Sequence, residues 1–344
     1  MDITSEISED LLRIPFQELH DVLTSILLKN GFARDKAKTC AEIFVQNTCD
    51  GSTTHGVSRF PRFIQQIKNG SIDVQAGPEF KRAVGCIEQW DGHLGPGPLN
   101  ALFCTRRAME IALTGGIGCI GLANTNHWMR GGYYARMAAS EGYLFIGWTN
   151  TMALMPAWGA KDKRLGNNPL VMGVPFAPSP LVLDMAMSQF SYGSLETKAL
   201  RGEKLSHPGG YAADGELTAD PSEILSSGRP LPMGYWKGSG LALFLDILAA
   251  ALSGGSTTRE ISSRSTEYGV SQVFVAIHAA SLSTENNLSE MIRSIVEDVR
   301  QSIPIDPNST VRYPGEHVLR IRKQNDESGI PVDRAVWSEI SMMQ

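Results

Sequence analysis

Apolar positions recur every three or four residues through the first part of the chain, which is the period of an amphipathic helix. The pattern predicts helices over about 16–27, 35–47 and 58–68, each followed by an Asn-Gly or Asp-Gly pair that favours a helix end. The first hundred residues are therefore expected to be largely helical.

Short runs rich in β-branched and aromatic residues replace this pattern in the middle of the chain. They predict strands at 117–123, 143–149, 170–175, 180–187 and 270–277. The predicted helices between them lie near 133–141, 193–201 and 238–253. Several strands follow one another without room for a crossover helix, so part of the sheet should be antiparallel.

Helical patterning returns after about Thr284, so both chain ends are predicted to be helical. The expected fold class is α/β, with a mixed-sheet domain at 117–283 inserted into a largely helical domain formed by 1–116 and 284–344. The segment 202–230 is rich in Gly, Pro, Ser and Asp and is predicted to be a long surface loop.

Composition limits the functional classes open to the chain. Its 344 residues include 31 Lys and Arg against 36 Asp and Glu, a net charge of −5, which argues against nucleic acid as the main partner. The 42% of hydrophobic residues can form a substantial core. The apolar stretch 241–252 is too short for a bilayer and contains Asp246, so it is predicted to be a buried helix and not a membrane span.

The five cysteines are odd in number and form no CxxC pair, which is typical neither of a disulfide framework nor of a zinc site. The acidic N-terminal segment MDITSEISED lacks the basic and apolar regions of a secretory signal. These features favour a soluble protein of a reducing compartment, the cytoplasm, without a metal site.

Gly116, Gly118 and Gly121 spell GxGxxG, but a helical pattern precedes them and a strand follows. The dinucleotide-binding fingerprint needs the reverse order, because the phosphates bind at the N-terminus of the helix that the glycines introduce. The match is therefore interpreted as spurious, and Gly115-Gly116 as a helix end.

The densest polar cluster is the segment 54–63. His55 and Arg59 are four residues apart, so on a helical turn they would share one face. A histidine can transfer a proton near neutral pH, and an arginine offers donors that match a carboxylate. The alternative from spacing alone is an ordinary helix start capped by Ser58, with Pro61 in its first turn.

Further candidates lie at predicted strand and helix ends. His127 and Arg130 come at a strand-to-helix turn, where backbone amides approach ligands. Asp184 interrupts an apolar strand, and a carboxylate there needs a partner such as a histidine. Lys237 opens an apolar helix, a place suited to phosphate oxygens. The structural alternatives are an ordinary turn for His127 and a solvent-facing strand end for Asp184.

Taken together, these segments resemble the malate/L-lactate dehydrogenase family of oxidoreductases, which is distinct from the Rossmann-type lactate and malate dehydrogenases. The resemblance covers about residues 15–340 and rests on THGVSRFPRFIQQIKNG, IEQWD, NHWMRGG, MPAWGAK, NNPL, LDMAMSQFSYG, LPMGYWKGSG and EYGVSQVFVAI. It implies a non-Rossmann cofactor domain, a cytoplasmic homodimer, and reduction of a small 2-oxo acid with NADH, or alternatively NADPH, as the cofactor. NHWMRGG and LPMGYWKGSG are typical of the branch that reduces 2,3-diketo-L-gulonate.

The resemblance also implies roles for individual residues. His55 would be the proton donor, supported by Asp184, and Arg59 would clamp the substrate carboxylate. His127 would lie beside the substrate and the nicotinamide. The implied cofactor-binding residues are His127, Pro180, Leu181, Val182, Leu183, Asp184, Met185, Ala186, Trp236, Lys237, Gly315, Glu316 and His317.

Three positions depart from the family's pattern. Thr54 stands where a serine usually precedes the histidine, and Asn167 gives GNNP where GTNP is usual. Gly315-Glu316-His317 exchanges the acid and the imidazole of the usual Gly-His-Glu. Threonine and asparagine keep the hydrogen-bonding capacity, so activity is expected to be retained.

The reaction implied by the resemblance is hydride transfer to C2 of 2,3-diketo-L-gulonate with protonation by His55, which gives 3-dehydro-L-gulonate. One alternative is a sister activity on malate, lactate, ureidoglycolate, sulfolactate or a cyclic imino acid. The alternative outside the family is a carboxylate-binding or metal-dependent hydrolytic protein.

Overall fold

The computed structural model describes residues 11–282 and 285–344. The first ten residues, on which the expectation about a secretory signal depends, and the predicted domain boundary at 283–284 lie outside the described residues. The helices are α1 (Phe16–Lys29), α2 (Arg34–Cys49), α3 (Phe60–Lys68), α4 (Gly97–Gly115), α5 (Gly131–Ser140), α6 (Tyr192–Leu200), α7 (Pro221–Ser227), α8 (Trp236–Ser253), α9 (Thr258–Ser262), α10 (Glu285–Arg300), α11 (Glu316–Ser328) and α12 (Arg334–Ser341). The strands are β1 (Leu11–Ile14), β2 (Glu79–Val84), β3 (Ile87–Asp91), β4 (Ile117–Thr125), β5 (Tyr143–Thr149), β6 (Met155–Pro156), β7 (Lys163–Leu165), β8 (Leu170–Val174), β9 (Leu181–Met185), β10 (Gly210–Tyr211), β11 (Leu217–Thr218), β12 (Val270–His278) and β13 (Ile330–Asp333).

Seven strands form the central sheet in the order β2-β3-β4-β12-β5-β8-β9. β3 and β4 are parallel and are joined through α4, while every other neighbouring pair in this sheet is antiparallel. The predicted α/β class, the mixed sheet and its five predicted strands are confirmed, with strand ends that agree within two residues.

The two faces of the sheet carry separate cores. On one face, α4 and α5 pack over apolar side chains that include Ile120 and Phe274. On the other face, α8 packs over their chain neighbours, among them Cys119 and Val273. Neighbouring residues of a strand point to opposite faces, so each central strand contributes to both cores and reads as a continuous apolar run.

A helical layer built from both chain ends lies next to the sheet. Its core combines α1, α2 and α3 with β13 and α12, through buried residues such as Leu23, Phe44 and Ile340. β1 pairs antiparallel with β13, with Ile14 opposite Ile330. The exact domain boundaries stay a prediction, and the sheet already includes β2 and β3 from before residue 117.

Two expectations about secondary structure are wrong. The first hundred residues also contain the β2-β3 hairpin, which the sequence hides because all six residues of the edge strand β2 are exposed and show no apolar alternation. The segment 202–230 is not one long loop but contains the β10-β11 hairpin and α7. Its Asp220 and Gly228, typical loop residues, cap the two ends of α7.

The helix predicted to be buried, α8, is buried on one face only. By length and composition alone it could also cross a membrane, but Asp246 in its middle accepts hydrogen bonds of 2.8 Å from the Asn150 side chain and the Thr258 backbone. Its opposite face leaves four large apolar side chains exposed: Leu243, Phe244, Ile247 and Leu248. Burial was overestimated because apolar residues continue around the whole helix.

The GxGxxG glycines bring helices close to β4. Gly116 ends α4 with φ 79°, as predicted. A Cβ atom on Gly118 would lie 2.2 Å from the carbonyl oxygen of Ala108 in α4, and one on Gly121 would lie 2.2 Å from that of Leu252 in α8. Since no side chain fits in either gap, these glycines serve helix–sheet packing on the two faces.

Candidate active site

Two short 3₁₀ turns, Thr53–His55 and Val57–Arg59, carry the first part of the site. Buried side chains at the end of α2 hold them in place. Asn47 donates to the His55 carbonyl oxygen (3.1 Å), and the Thr48 hydroxyl accepts from the Val57 amide (2.8 Å). A Cβ atom on Gly56 would lie 2.1 Å from that hydroxyl, so only glycine allows the two turns to pack against α2.

His127 follows the end of β4 and faces His55. The two imidazole rings are stacked, with centroids 5.6 Å apart. The Met129 amide donates to Nδ1 of His127 (3.0 Å), which leaves Nε2 as the protonated nitrogen of the neutral ring. The fold thus brings together two histidines that are 72 residues apart in the sequence.

Both histidines are held in the neutral form by their surroundings. Burial and the positive charges of Arg59 and Arg130 lower the pKa of His55 to about 4. Burial, Arg59 and His55 lower the pKa of His127 well below its usual value. Arg59 is half-buried, and among the described residues it forms no ion pair. Arg59 therefore offers a guanidinium group without an ion-pair partner that an anionic ligand could bind.

Asp184 lies on β9 and binds the start of α5. Its Oδ2 accepts from the Gly132 amide (2.8 Å) and lies 3.7 Å from Nε of Arg130. Burial raises the pKa of this carboxyl group, and Arg130 opposes the rise. Among the described residues it makes no hydrogen bond to a histidine, since the helix start and the guanidinium take its oxygen. Its support of His55 stays a prediction.

A buried carboxylate, Asp50, joins three arginines behind this site. It lies 2.7 Å from Arg130 and 3.7 Å from Arg136, and Nε of Arg322 donates to it at 2.7 Å. The cluster connects the end of α2, the start of α5 and the C-terminal helix α11. Sequence reasoning missed Asp50, because Asp-Gly after a helix indicated only a helix end.

The segments predicted to bind a cofactor meet along the edge strand β9. Gly315 packs on this strand so closely that a Cβ atom there would lie 3.2 Å from the Val182 amide nitrogen. Glu316 forms an ion pair with Arg300. Partial burial and nearby arginines lower the pKa of His317. The predicted segments 180–186 and 315–317 are therefore neighbours.

Trp236 and Lys237 lie at the start of α8. The segment before this helix is bonded to the segment after β9, since the Met233 amide donates to the Met187 carbonyl oxygen at 2.8 Å. The Trp236 side chain is 67% exposed. Among the described residues Lys237 forms no ion pair. An exposed indole and an unpaired ammonium group fit a dinucleotide, which needs stacking surface and cations for its phosphates.

Three further hydrogen bonds involve Thr54, Asn167 and Glu267. Thr54 lies 3.2 Å from the imidazole Nδ1 of His55, so it keeps the hydrogen bond expected of the usual serine. The Asn167 side chain accepts from the Thr151 hydroxyl at 3.2 Å. Glu267, to which sequence reasoning gave no role, accepts from the backbone amide of the residue after Thr151. The segment EYGVSQVFVAI, which begins at Glu267, contributed to the family resemblance, but the resemblance gave Glu267 no role.

Within residues 11–282 and 285–344, no group of three or more His, Cys, Asp or Glu side chains is placed to hold a metal ion. The site therefore combines a neutral imidazole pair with an unpaired guanidinium group.

Comparison with known proteins agrees with this chemistry. Residues 14–341 match the malate/L-lactate dehydrogenase family. Two curated relatives, the 2,3-diketo-L-gulonate reductases of Klebsiella pneumoniae (strain 342) and Citrobacter koseri, are 44% and 43% identical over 333 residues, 96% of this chain and all of theirs. Malate dehydrogenase from Pyrococcus horikoshii superposes with a TM-score of 0.89 at 27% identity and covers 100% of this chain and 97% of its own. Sulfolactate dehydrogenase from Methanocaldococcus jannaschii gives 0.88 at 25% identity and covers 96% of each chain.

Proposed function

Because the chain belongs to the malate/L-lactate dehydrogenase family, we propose that its cleft binds a 2-oxo acid and that its substrate is 2,3-diketo-L-gulonate, reduced at C2 to 3-dehydro-L-gulonate. The chain is an oxidoreductase of the nicotinamide-dependent kind. The substrate is supported by relatives of that name at 43–44% identity along nearly the whole chain.

One observation carries this proposal: the unpaired, half-buried guanidinium of Arg59 lies beside the stacked His55 and His127. Arg59 matches the C1 carboxylate of a 2-oxo acid. With that carboxylate held, the C2 carbonyl oxygen can face the imidazole of His55.

In the reduction, the C2 carbonyl becomes a hydroxyl group by gaining one hydride and one proton. A bound nicotinamide cofactor supplies the hydride. His55 supplies the proton to the oxygen at C2, and His127 covers the other side of its ring. In the reverse oxidation, the neutral imidazole of His55 accepts the hydroxyl proton.

The low pKa of His55 is compatible with proton donation once the substrate is bound. Arg59 is the largest charged contributor to that low value. A substrate carboxylate on Arg59 cancels its charge, so the repulsion that disfavours the imidazolium decreases and the pKa of His55 rises. Substrate binding thereby promotes the protonated form that the reduction needs.

The proposed cofactor site lies on β9, with Pro180–Ala186 along the dinucleotide, Gly315–His317 beside them, and Trp236 and Lys237 at the start of α8. NADH is the proposed cofactor, and NADPH is its alternative. The structural reason is the same for both: a strand edge, an exposed indole and an unpaired ammonium group.

The test is NADH oxidation by the purified protein with 2,3-diketo-L-gulonate, run beside pyruvate, oxaloacetate and piperideine-2-carboxylate. A clear preference for diketogulonate supports the proposed substrate. Preference for another acid keeps the Arg59 and His55 chemistry but overturns the substrate. No turnover with any acid, by a protein that does not bind NADH or NADPH, contradicts the proposed site.

We further propose a homodimer formed through the exposed face of α8. Leu243, Phe244, Ile247 and Leu248 make one apolar patch on this helix. A second copy can cover it, because one helix face packs on itself across a two-fold axis. Phe244→Asp should convert a dimer to a monomer in sedimentation velocity, whereas the exposed Leu200→Asp should not.

The proposal places the enzyme in the cytoplasm. All five cysteines are free thiols, and four of them are buried. Free cysteines are typical of proteins that stay in a reducing compartment. Cell fractionation of the tagged, otherwise unaltered chain tests this location.

A further inference from the structure

Glu267 is anchored between two parts of the substrate cleft. Its Oε2 accepts from the Met152 backbone amide at 3.0 Å, and its backbone carbonyl accepts from the Gln66 side chain at 3.3 Å. The first bond ties it to the segment after β5 and the second to α3, the helix that follows Arg59. Its position is therefore set by both walls of the cleft.

The second carboxylate oxygen of Glu267, Oε1, makes no hydrogen bond to any described residue. The residue is half-buried, so this oxygen can meet a ligand. A carboxylate oxygen in such a place can accept a hydrogen bond from a hydroxyl group of a ligand. The mechanism described above uses neither this oxygen nor its charge.

The charge of Glu267 acts on the same arginine that the proposed reaction uses. Burial raises the pKa of its carboxyl group, while the Met152 amide, Arg59 and Arg62 oppose the rise. In return, Glu267 favours the charged form of Arg59. Among the described residues, neither arginine forms an ion pair with Glu267, so a ligand can lie between the opposite charges.

We propose that Glu267 selects the tail of the substrate: Oε1 accepts a hydroxyl group beyond C3, and the carboxylate repels acids that carry a second anionic group there. This inference rests on the proposed function, because it needs the substrate carboxylate on Arg59. With C1 held there, the hydroxyl groups of 2,3-diketo-L-gulonate extend away from Arg59. A dicarboxylate or a sulfonate would bring a second negative charge close to a carboxylate that forms no ion pair with any described residue.

The test is Glu267→Gln, which keeps the size of the side chain and an oxygen for the Met152 amide but removes the charge. The measured quantity is the ratio of kcat/KM for 2,3-diketo-L-gulonate to that for oxaloacetate. Losing a charge-assisted hydrogen bond and a like-charge repulsion should lower this ratio by roughly 10-fold or more. Pyruvate has neither tail, so its kcat/KM should change little.

A matched control is Glu196→Gln. Glu196 also favours the charged form of Arg59, but it is exposed on α6 and lacks the bond to Met152. Its substitution should leave the ratio within about 2-fold, the ordinary scatter of a solvent-screened charge. An equal fall in both variants would assign the effect to general electrostatics and overturn the role of Glu267.

A second variant, Glu267→Asp, keeps the charge but shortens the side chain. It should retain the rejection of oxaloacetate while raising KM for diketogulonate. An unchanged ratio in folded Glu267→Gln, with an unaltered melting temperature, overturns the inference while the wild-type preference for diketogulonate stands. A wild-type enzyme without that preference overturns the proposed substrate instead, so the two failures are distinguishable.

Discussion

The imidazole rings of His55 and His127 are nearly parallel, with an interplanar angle of 13° and centroids 5.6 Å apart. Each lies in an environment that disfavours its protonated form, and His55 itself lowers the pKa of His127. Two adjacent imidazolium ions would repel each other at this distance. Both rings are therefore neutral near neutral pH, and His55 gains a proton only when the positive charge of Arg59 is balanced by a ligand.

Removing the nearest positive charge should raise the pKa of His55. Burial, Arg59 and Arg130 lower the pKa of the His55 imidazole from 6.5 to about 4. Arg59→Gln deletes a charge that opposes the imidazolium, so the pKa should move upward toward 6.5. NMR titration of the His55 ring protons measures this shift. Arg164→Gln, in an exposed ion pair with Asp162, is the control, and an unchanged pKa in Arg59→Gln would contradict the electrostatic account.

Replacing His55 should lower turnover while leaving the binding of NADH unchanged. His55→Gln removes the proposed proton donor, and the loss of a positioned acid typically costs ~10²–10⁴-fold in turnover. Binding of NADH, followed by its fluorescence, should remain because the proposed cofactor site lies on β9 and α8. The control is His207→Gln, an exposed histidine bonded to Gln189. Turnover of His55→Gln at the wild-type rate would rule out the proposed role.

Asp50 should be one of the most sensitive positions for stability. It is 4% exposed and is shared by Arg130, Arg136 and Arg322. Asp50→Asn leaves Arg136 and Arg322 without an anion and Arg130 with Asp184 alone, and breaking such a buried pair typically costs about 3–5 kcal/mol. The free energy of unfolding in urea measures the loss.

The matched control for Asp50 is Glu110→Gln. Glu110 also binds an arginine, Arg107, but its side chain is 63% exposed. An exposed pair contributes little, so the change in unfolding free energy should stay below ~1 kcal/mol. Equal effects of the two substitutions would show that the Asp50 cluster stabilises no more than a surface ion pair.

Adding a methyl group at Gly97, at the start of α4, should displace His127. A Cβ atom on Gly97 would lie 2.2 Å from the His127 carbonyl oxygen, so Gly97→Ala must displace the backbone that carries this histidine. We expect a loss of roughly 1–3 kcal/mol in stability, as for overpacking, together with reduced turnover. Gly115→Ala, where no atom lies within 4 Å, is the control in the same helix. Wild-type turnover and melting temperature in Gly97→Ala would contradict the tight contact.

Local sequence patterns predicted the parts of the fold that are buried on both faces. The central strands, such as Val270–His278, are continuous apolar runs because helices cover both sides of the sheet. The edge strand Glu79–Val84 was missed because its exposed side chains carry no such pattern. In α8 the apolar pattern was visible, but which face meets the sheet depends on tertiary packing.

The candidate site was predictable where its residues lie within one motif. His55 and Arg59 share a short polar segment, and His127 follows a strand. The contacts of Asp50 were not predictable, because Arg322 lies 272 residues away and reaches it only through the folded position of α11. Asp184 was a candidate because it is a carboxylate in an apolar strand. Its hydrogen-bond donor, the backbone amide of Gly132 at the start of α5, could not be predicted, because a backbone amide has no signature in the sequence.

The pairing of β1 with β13 can form only late in synthesis, because the two strands are far apart in the sequence. Leu11 to Ile14 are synthesised long before Ile330 to Asp333, their partners in the sheet. Until then the layer of α1, α2 and α3 lacks Ile330 and Ile340, both fully buried in its core. A nascent chain therefore leaves this part of the core incomplete until β13 and α12 have been made, and a chain that stops before β13 never completes it. We expect such truncated chains to depend on chaperones or to be degraded.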